Sequence, residues 1–341
     1  MAMDNVFFFM KDRALLDDLS AIDVERDWGY FSTGVKCWSS QTFLRLRAQG
    51  YDVKAGNHPP QAGVVCCHAD DLHALINHPS CSDHLLIACA RADREPQLYA
   101  DYEIVQNQWS SNDVRCRFIP HWPQPGLRRR SPERRALRCV GYKGEEGNLH
   151  PWFLADEWGG FLKENGLSWD LDTTAWSGSE ASHHSRWNDY SSIDVFLSIR
   201  KDFQGGYYHK PASKLVNSWQ AGVPAILGSE VAYLELRKSP LDYIHAQSPE
   251  HVKEALLSLM RNPQLYSNMV ENGLKRAEEF TAEKVTNRWV QVFSELAIIQ
   301  RSRLWQVYAR MPRGVRMRIR RRFARGIVKN NRERLVTDVT R

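Results

Sequence analysis

Residues 194–237 read DVFLSIRKDFQGGYYHKPASKLVNSWQAGVPAILGSEVAYLELR. The apolar run Asp194–Ile199 has the texture of a buried strand, and it delivers Arg200 to the strand's carboxyl end. Gly205-Gly206 follows in a loop where backbone can approach a ligand closely. Lys210 and Pro211 then precede a helix over Lys214–Gln220, with Ser213 and Lys214 in its first turn. The Gly222-Val-Pro224 turn leads into a strand at Ala225–Leu227, which ends at Gly228 and is followed by Glu230 and Glu235. A helix N-terminus offers unpaired N–H groups and a partial positive charge. With Arg200, Lys210 and Lys214 beside it, this end suits a diphosphate. Carboxylates or an amide nearby, at Glu230, Glu235 and Asn217, suit ribose or sugar hydroxyls. The plainer reading of the same pattern is a βαβ unit with solvated lysines.

Outward from this segment, both halves of the chain alternate short β-rich runs with helical stretches. In the first half a helix is expected over Gln41–Gln49, closed by Gly50, with strands at Gly63–Cys67, Leu85–Cys89 and Glu103–Val105. In the second, strands are expected at Leu137–Tyr142, Trp169–Leu171, Asp194–Ile199 and Tyr243–His245. Helices are expected at Trp152–Asn165, Pro249–Met260 capped by Ser248, Gln264–Phe280 and Ala282–Ile299. Alternation of this kind predicts parallel sheets covered by helices on both faces. The fold class is therefore α/β, with two Rossmann-like, doubly wound domains facing a cleft and a basic helical tail. The proline-rich stretch IPHWPQPGL at 119–127 reads as the linker. The expected divisions are 1–127, 128–285 and 286–341.

Composition is that of a globular protein of 341 residues, enough for two domains. The net charge of +6 is uneven, because residues 301–341 carry fourteen Lys/Arg against two acids. The body is thus mildly acidic and does not read as a nucleic-acid binder. Seven cysteines, all between Cys37 and Cys139 and none in a C-x-x-C pair, read as reduced thiols of a cytoplasmic protein. The start, MAMDNVFFFMKDR, does not have the form of a signal peptide, and no apolar run approaches the roughly 20 residues of a membrane span.

The run KPASKLVNSWQAGVPAILG, Lys210–Gly228, resembles the donor-binding segment of glycosyltransferases with the two-Rossmann GT-B fold, of the family 4-like or group 1 kind. It is also similar to the matching segment of α-1,3-fucosyltransferases. The resemblance runs from about Leu137 to Phe293 and is looser before Pro120. It implies a hexosyltransferase that uses a UDP- or GDP-linked sugar as co-substrate, with no other cofactor and no bound metal. By it, Lys214 and Arg200 hold the diphosphate, and Glu235 matches a later Glu of the family. The large retaining branch places two Glu eight positions apart, where this chain has His209 and Asn217. Residues 1–127 would be the acceptor-side domain, and Trp289–Phe293 would lie on the helix crossing back to it.

On that acceptor side, the turn Ser32-Thr-Gly34-Val-Lys36 and the groups after the strands are the candidates. His68, Asp70 and Asp71 follow one strand, and Arg91 and Asp93 follow the next. His68 or Asp93 is the candidate base that would deprotonate an acceptor hydroxyl; His68 would alternatively touch the donor sugar, and each is otherwise a loop or capping residue. Asp189 reads as a cap. The cluster of Cys66, Cys67, His68, His73, His78, Cys81 and His84 lacks zinc-site spacing, so no metal is expected.

In the tail, Val315, Ile319, Phe323 and Ile327 recur every four residues, with most arginines off that stripe. A basic amphipathic helix of this kind suits an anionic membrane surface, touched through Arg316, Arg320, Arg321 and Arg322. Packing on the chain's own acidic body is the alternative, with nucleic acid the least favoured. The leading function is thus a glycosyltransferase acting on a glycan or lipid-linked hydroxyl, cytoplasmic or on the inner membrane face. The competing function is a non-catalytic binding protein that docks through its tail.

Overall fold

A computed structural model describes residues 6–111, 114–134, 136–173, 186–201, 203 and 207–321. The chain forms two compact units. The first comprises 1–22, 34–119 and 286–341, and the second 23–33 and 120–285.

Unit 1 is built on a parallel sheet of β1 (Val6–Phe9), β2 (Val53–Gly56), β3 (Gly63–His68), β4 (Leu85–Ala90), β5 (Tyr102–Val105) and β6 (Cys116–Phe118), in the order β2-β1-β3-β4-β5-β6. The strands at 63, 85 and 103 appear where expected. β1 went unread because four apolar residues in a row, VFFF, carry no alternation. A strand buried on both faces needs none. Helices α1 (Arg13–Asp18), α2 (Gln41–Ala48) and α3 (Ala69–Ile76) accompany the sheet, and Gly50 closes α2 at φ +82. One face buries Phe9, Val65, Cys67, Ile87 and Cys89 under Leu72 and Leu75 of α3. The other face meets α9 (Ala282–Arg301), whose Phe293 lies 5.7 Å from Phe8.

Unit 2 repeats the plan with β7 (Cys139–Lys143), β8 (Ser168–Asp172), β9 (Val195–Ser198), β10 (Ala225–Leu227) and β11 (Ile244–His245), all parallel in the order β11-β10-β9-β7-β8. Helices α4 (Asp156–Glu164), α5 (Ser213–Ala221), α6 (Val231–Leu236), α7 (Pro249–Arg261) and α8 (Pro263–Ala277) cover it. Period-two alternation sorts the strands into two cores. Val195 and Leu197 pack with Trp158, Leu256 and Met269. Phe196, Ala225 and Leu227 pack with Leu215, Trp219 and Tyr233. Ser248 caps α7 as expected, accepting from the His251 N–H.

The tail follows the alternative reading, packing on acids of the chain's own body, and not the display of Arg316 and Arg320 on a surface. α10 (Arg303–Ala309) is followed by a helix over 313–321, and Arg316 and Arg320 are buried rather than displayed on a surface. Both pair with Asp101, Arg316 Nη1 at 3.3 Å, and Arg316 also meets Asp83 at 3.0 Å. The physical reason is Asp101 itself: it is 1% exposed at the end of a core loop, and a buried carboxylate demands cations. Arg321 is exposed; Arg322, with Phe323 and Ile327, lies outside the described residues, as does Gly205-Gly206. No helix among the described residues is long and apolar enough to cross a membrane.

Candidate functional site at the switch point of unit 2

In unit 2 the chain passes from β7 outward to β8, then returns to the other side of β7 as β9. Ligands of open α/β sheets sit outside the strand carboxyl ends at such a reversal. Gly144 follows β7 and Arg200 follows β9, so both stand at this point.

Arg200, Lys214 and Glu230 come together there. Arg200 Nε lies 3.0 Å from Glu230 Oε1, with both side chains nearly enclosed. The N–H does not point along that line, so this is an ion pair rather than an aligned hydrogen bond. Arg200 also donates to Asn148 Oδ1 at 3.1 Å, tying the loop after β9 to the loop after β7. The Tyr207 ring lies 5.0 Å from the guanidinium. Burial pushes the Glu230 carboxyl up, while Arg200 and Lys214 pull it back.

Lys214 is half-buried as a residue, but its amine is sunk among Tyr142, Ser198 and Gly144. It donates to Ser198 Oγ at 3.2 Å and sits 4.3 Å from the centre of the Tyr142 ring. Burial first, and then the like charge of Arg200, bring its pKa down to about 7. Gly144 has φ +152, and a Cβ there would lie 2.9 Å from Lys214 Nζ. Only glycine leaves that space open.

Lys214 is the second residue of α5, whose N-cap Ala212 makes no side-chain cap and whose first turn holds no acid. The first N–H groups of α5 are therefore left to other partners, beside a lysine and an arginine. Ser213 opens the helix and is half-buried, as are Lys210 and His209 before it and Glu235 on α6. Asn217, one turn on along α5, is buried. Its Oδ1 accepts from the Gln124 N–H at 3.3 Å, and it bonds the Tyr190 hydroxyl. It fastens the 120s segment to α5.

The sequence reading passed over Tyr142, Asn148, Ser198, Ser229 and His245. Ser229 donates to the Phe203 carbonyl at 2.7 Å, which spends its only proton, so His245 Nε2–H is the donor across their 2.8 Å contact. This pair pins the loop after β9. Nothing marks His245 in sequence, because β10–β11 pairing brings it there.

In unit 1, His68 is the last residue of β3 and the cap of α3. Its Nδ1 accepts from the Asp70 N–H at 3.1 Å, so the proton rides on Nε2. Burial brings its pKa down to about 4. In this arrangement Nδ1 is occupied and Nε2 presents its proton. Its Nε2 lies beneath Gly34, where a Cβ would approach to 2.6 Å. Asp93 is partly exposed and pairs with Arg94 at 3.2 Å, while Asp70 holds Arg94 at 2.8 Å. Arg91 is buried on Glu103 at 3.1 Å. Asp189 accepts from the Ser191 N–H in a turn and pairs with Arg128; no helix starts there for it to cap. Among the described residues no three of His, Cys, Asp and Glu gather as a metal site.

No family model and no curated protein matches this sequence. Solved structures do. AviGT4, a glycosyltransferase involved in avilamycin A biosynthesis, is 12% identical with a TM-score of 0.53, covering 86% of this chain and 98% of its own. Sucrose-phosphate synthase from Thermosynechococcus elongatus is 12% identical with a TM-score of 0.52, covering 85% and 98%. HepE from Anabaena, in complex with UDP-glucose, is 10% identical with a TM-score of 0.51, covering 85% and 99%. This is the GT-B fold. Two longer matches, the GtfA/B complex and TarM, are spanned over only 60% and 59% of their lengths. In GT-B terms, unit 2 carries the switch point just described.

Proposed function

We propose that the chain is a glycosyltransferase that binds a nucleotide sugar in unit 2 and transfers the sugar to a hydroxyl of a glycan or lipid-linked acceptor. The observation that carries this reading is the uncapped N-terminus of α5 beside the enclosed Lys214 amine and Arg200, at the switch point of the sheet. As the glycosidic bond to phosphate breaks, negative charge grows on the leaving diphosphate. Lys214, Arg200 and the first N–H groups of α5 stabilise that charge in place, with no rearrangement at the moment of reaction. Lys210 adds long-range attraction, and Glu230 accepts from ribose or sugar hydroxyls while it keeps Arg200 aligned. HepE was solved with UDP-glucose, so uridine donors are the first to try, followed by guanosine donors.

The test is thermal unfolding of purified protein with UDP, GDP and their sugar conjugates, followed by a transfer assay with the donor that binds. A ligand at about 100 times its Kd adds about 2.7 kcal/mol of stability. The expected result is a shift with one base, abolished in Lys214→Ala while that variant unfolds cooperatively. Arg200→Ala is a poor control, because it strands a buried Glu230. A shift that survives in Lys214→Ala, or none with any nucleotide on folded protein, overturns the proposal.

A further inference from the structure

The helix over 313–321 is amphipathic in reverse. On an ordinary surface helix the apolar stripe faces the core and the charges face water. Over 313–321 the charges face inward: Arg316 and Arg320 are buried on Asp101 and Asp83, and the Arg320 Nε donates to the Tyr308 hydroxyl at 3.1 Å. Val315 and Ile319 are left facing out, 42% and 37% exposed. α10 also leaves apolar residues outward. Trp305 and Ala309 are buried toward the arginines, whereas Leu304 and Val307 are 85% and 58% exposed. Met311 lies in the turn between the two helices, so the outward apolar residues are Leu304 and Val307 on α10, Met311 in the turn, and Val315 and Ile319 on the next helix. The exposed arginines Arg303, Arg310, Arg318 and Arg321 flank these side chains, and residues 301–321 contain no acid at all.

We infer that the outward side of these two packed helices is a docking surface for an anionic lipid bilayer. The side chains that do the docking are Leu304, Val307, Met311, Val315 and Ile319, set into the headgroup boundary, with Arg303, Arg310, Arg318 and Arg321 on the lipid phosphates. Charge complementarity selects an anionic occupant, and the group of apolar side chains selects one with a hydrocarbon interior. A nucleic-acid backbone satisfies the first requirement and not the second. Arg316 and Arg320 hold the surface in place from below and do not touch lipid. The inference is independent of what unit 2 binds.

The experiment is flotation of the full chain with vesicles of phosphatidylcholine alone, and of phosphatidylcholine with about one quarter phosphatidylglycerol. Duplex oligonucleotide binding and sedimentation are measured in parallel. Wild type is expected to float with the anionic vesicles only, and less so at high salt. Val307→Ser/Val315→Ser/Ile319→Ser is expected to lose about tenfold or more in vesicle affinity. Replacing Arg303 and Arg318 with Gln is expected to cost about fivefold each. All these positions are exposed, so the unfolding temperature stays put; Leu304→Ser, the most exposed site, serves as a second, milder variant. Any of three results overturns the inference. One is no flotation on anionic vesicles. Another is flotation unchanged by the apolar variants, which would assign it to residues beyond 321. The last is loss of a dimer or of oligonucleotide binding in those variants with flotation intact.

Discussion

Lys214 has an amine enclosed by Tyr142, Ser198 and Gly144, so protons near neutrality decide its charge. Burial and the like charge of Arg200 bring its pKa down to about 7, so the amine exchanges its proton near neutral pH. A diphosphate favours the charged form, so binding above pH 7 takes up a proton. Affinity for the nucleotide is expected to fall as pH rises from 7, by up to about tenfold per unit. Titration calorimetry in buffers of different ionisation heat checks this: the protein takes up a fraction of a proton per nucleotide bound at pH 8, and less at pH 6. Equal affinity at pH 6.5 and 8.5 would sink the assignment. Stability carries the opposite sign. Between about 7 and the ordinary lysine value of 10.5 the unfolded chain holds a proton that the native site does not, so the contribution of Lys214 to stability rises with pH across that window. The positive charges here were legible in sequence. Their enclosure was not, since it depends on Tyr142 and Gly144 from a strand seventy residues earlier.

At the scale of elements, Asp194 joins the 130s segment to the start of β9. Its carboxylate accepts from Arg130 Nε at 3.0 Å, Arg134 Nη2 at 2.7 Å, and the N–H groups of Arg138 and Cys139 at 2.9 Å each. Burial opposes its charge, but these donors outweigh it and hold its pKa below the usual range. Asp194→Ala leaves buried cations and N–H groups unpaired and is expected to cost about 3–5 kcal/mol at pH 7. The stabilisation is fully present above the unfolded value of about 4 and is lost as pH falls through the depressed folded value. Urea unfolding of wild type and variant should therefore differ widely at pH 7 and converge in acid. An undiminished gap at pH 2 would refute the role. Asp194 reads in sequence only as the first residue of a strand, because its partners lie 55 to 64 positions away.

For the whole molecule, unit 1 is closed by chain that comes last. Trp289, Phe293 and Leu296 of α9 have no exposed surface, and the helix over 313–321 supplies the cations for Asp101. Arg316→Met is expected to destabilise the protein by about 3–5 kcal/mol. Arg318→Met, two residues on and exposed, should stay within about 0.5 kcal/mol. Thermal unfolding distinguishes them, and equal effects would show that Asp101 does not anchor the helix.

Taken alone, the sequence determined the alternation of strands and helices, the two parallel sheets and the cationic turn at α5. These follow from local periodicity and from which residue types a diphosphate requires. Tertiary structure alone decided which groups Asn217 and His68 bond, and which way the tail helix faces. The tail shows why. Leaving Val315 and Ile319 partly in water costs at most about 1.5–3 kcal/mol each. A buried Asp101 without cations costs several kcal/mol on its own, and stranded arginines cost as much again. The carboxylate that settles this balance lies more than two hundred residues away in the chain, where no helical periodicity can register it.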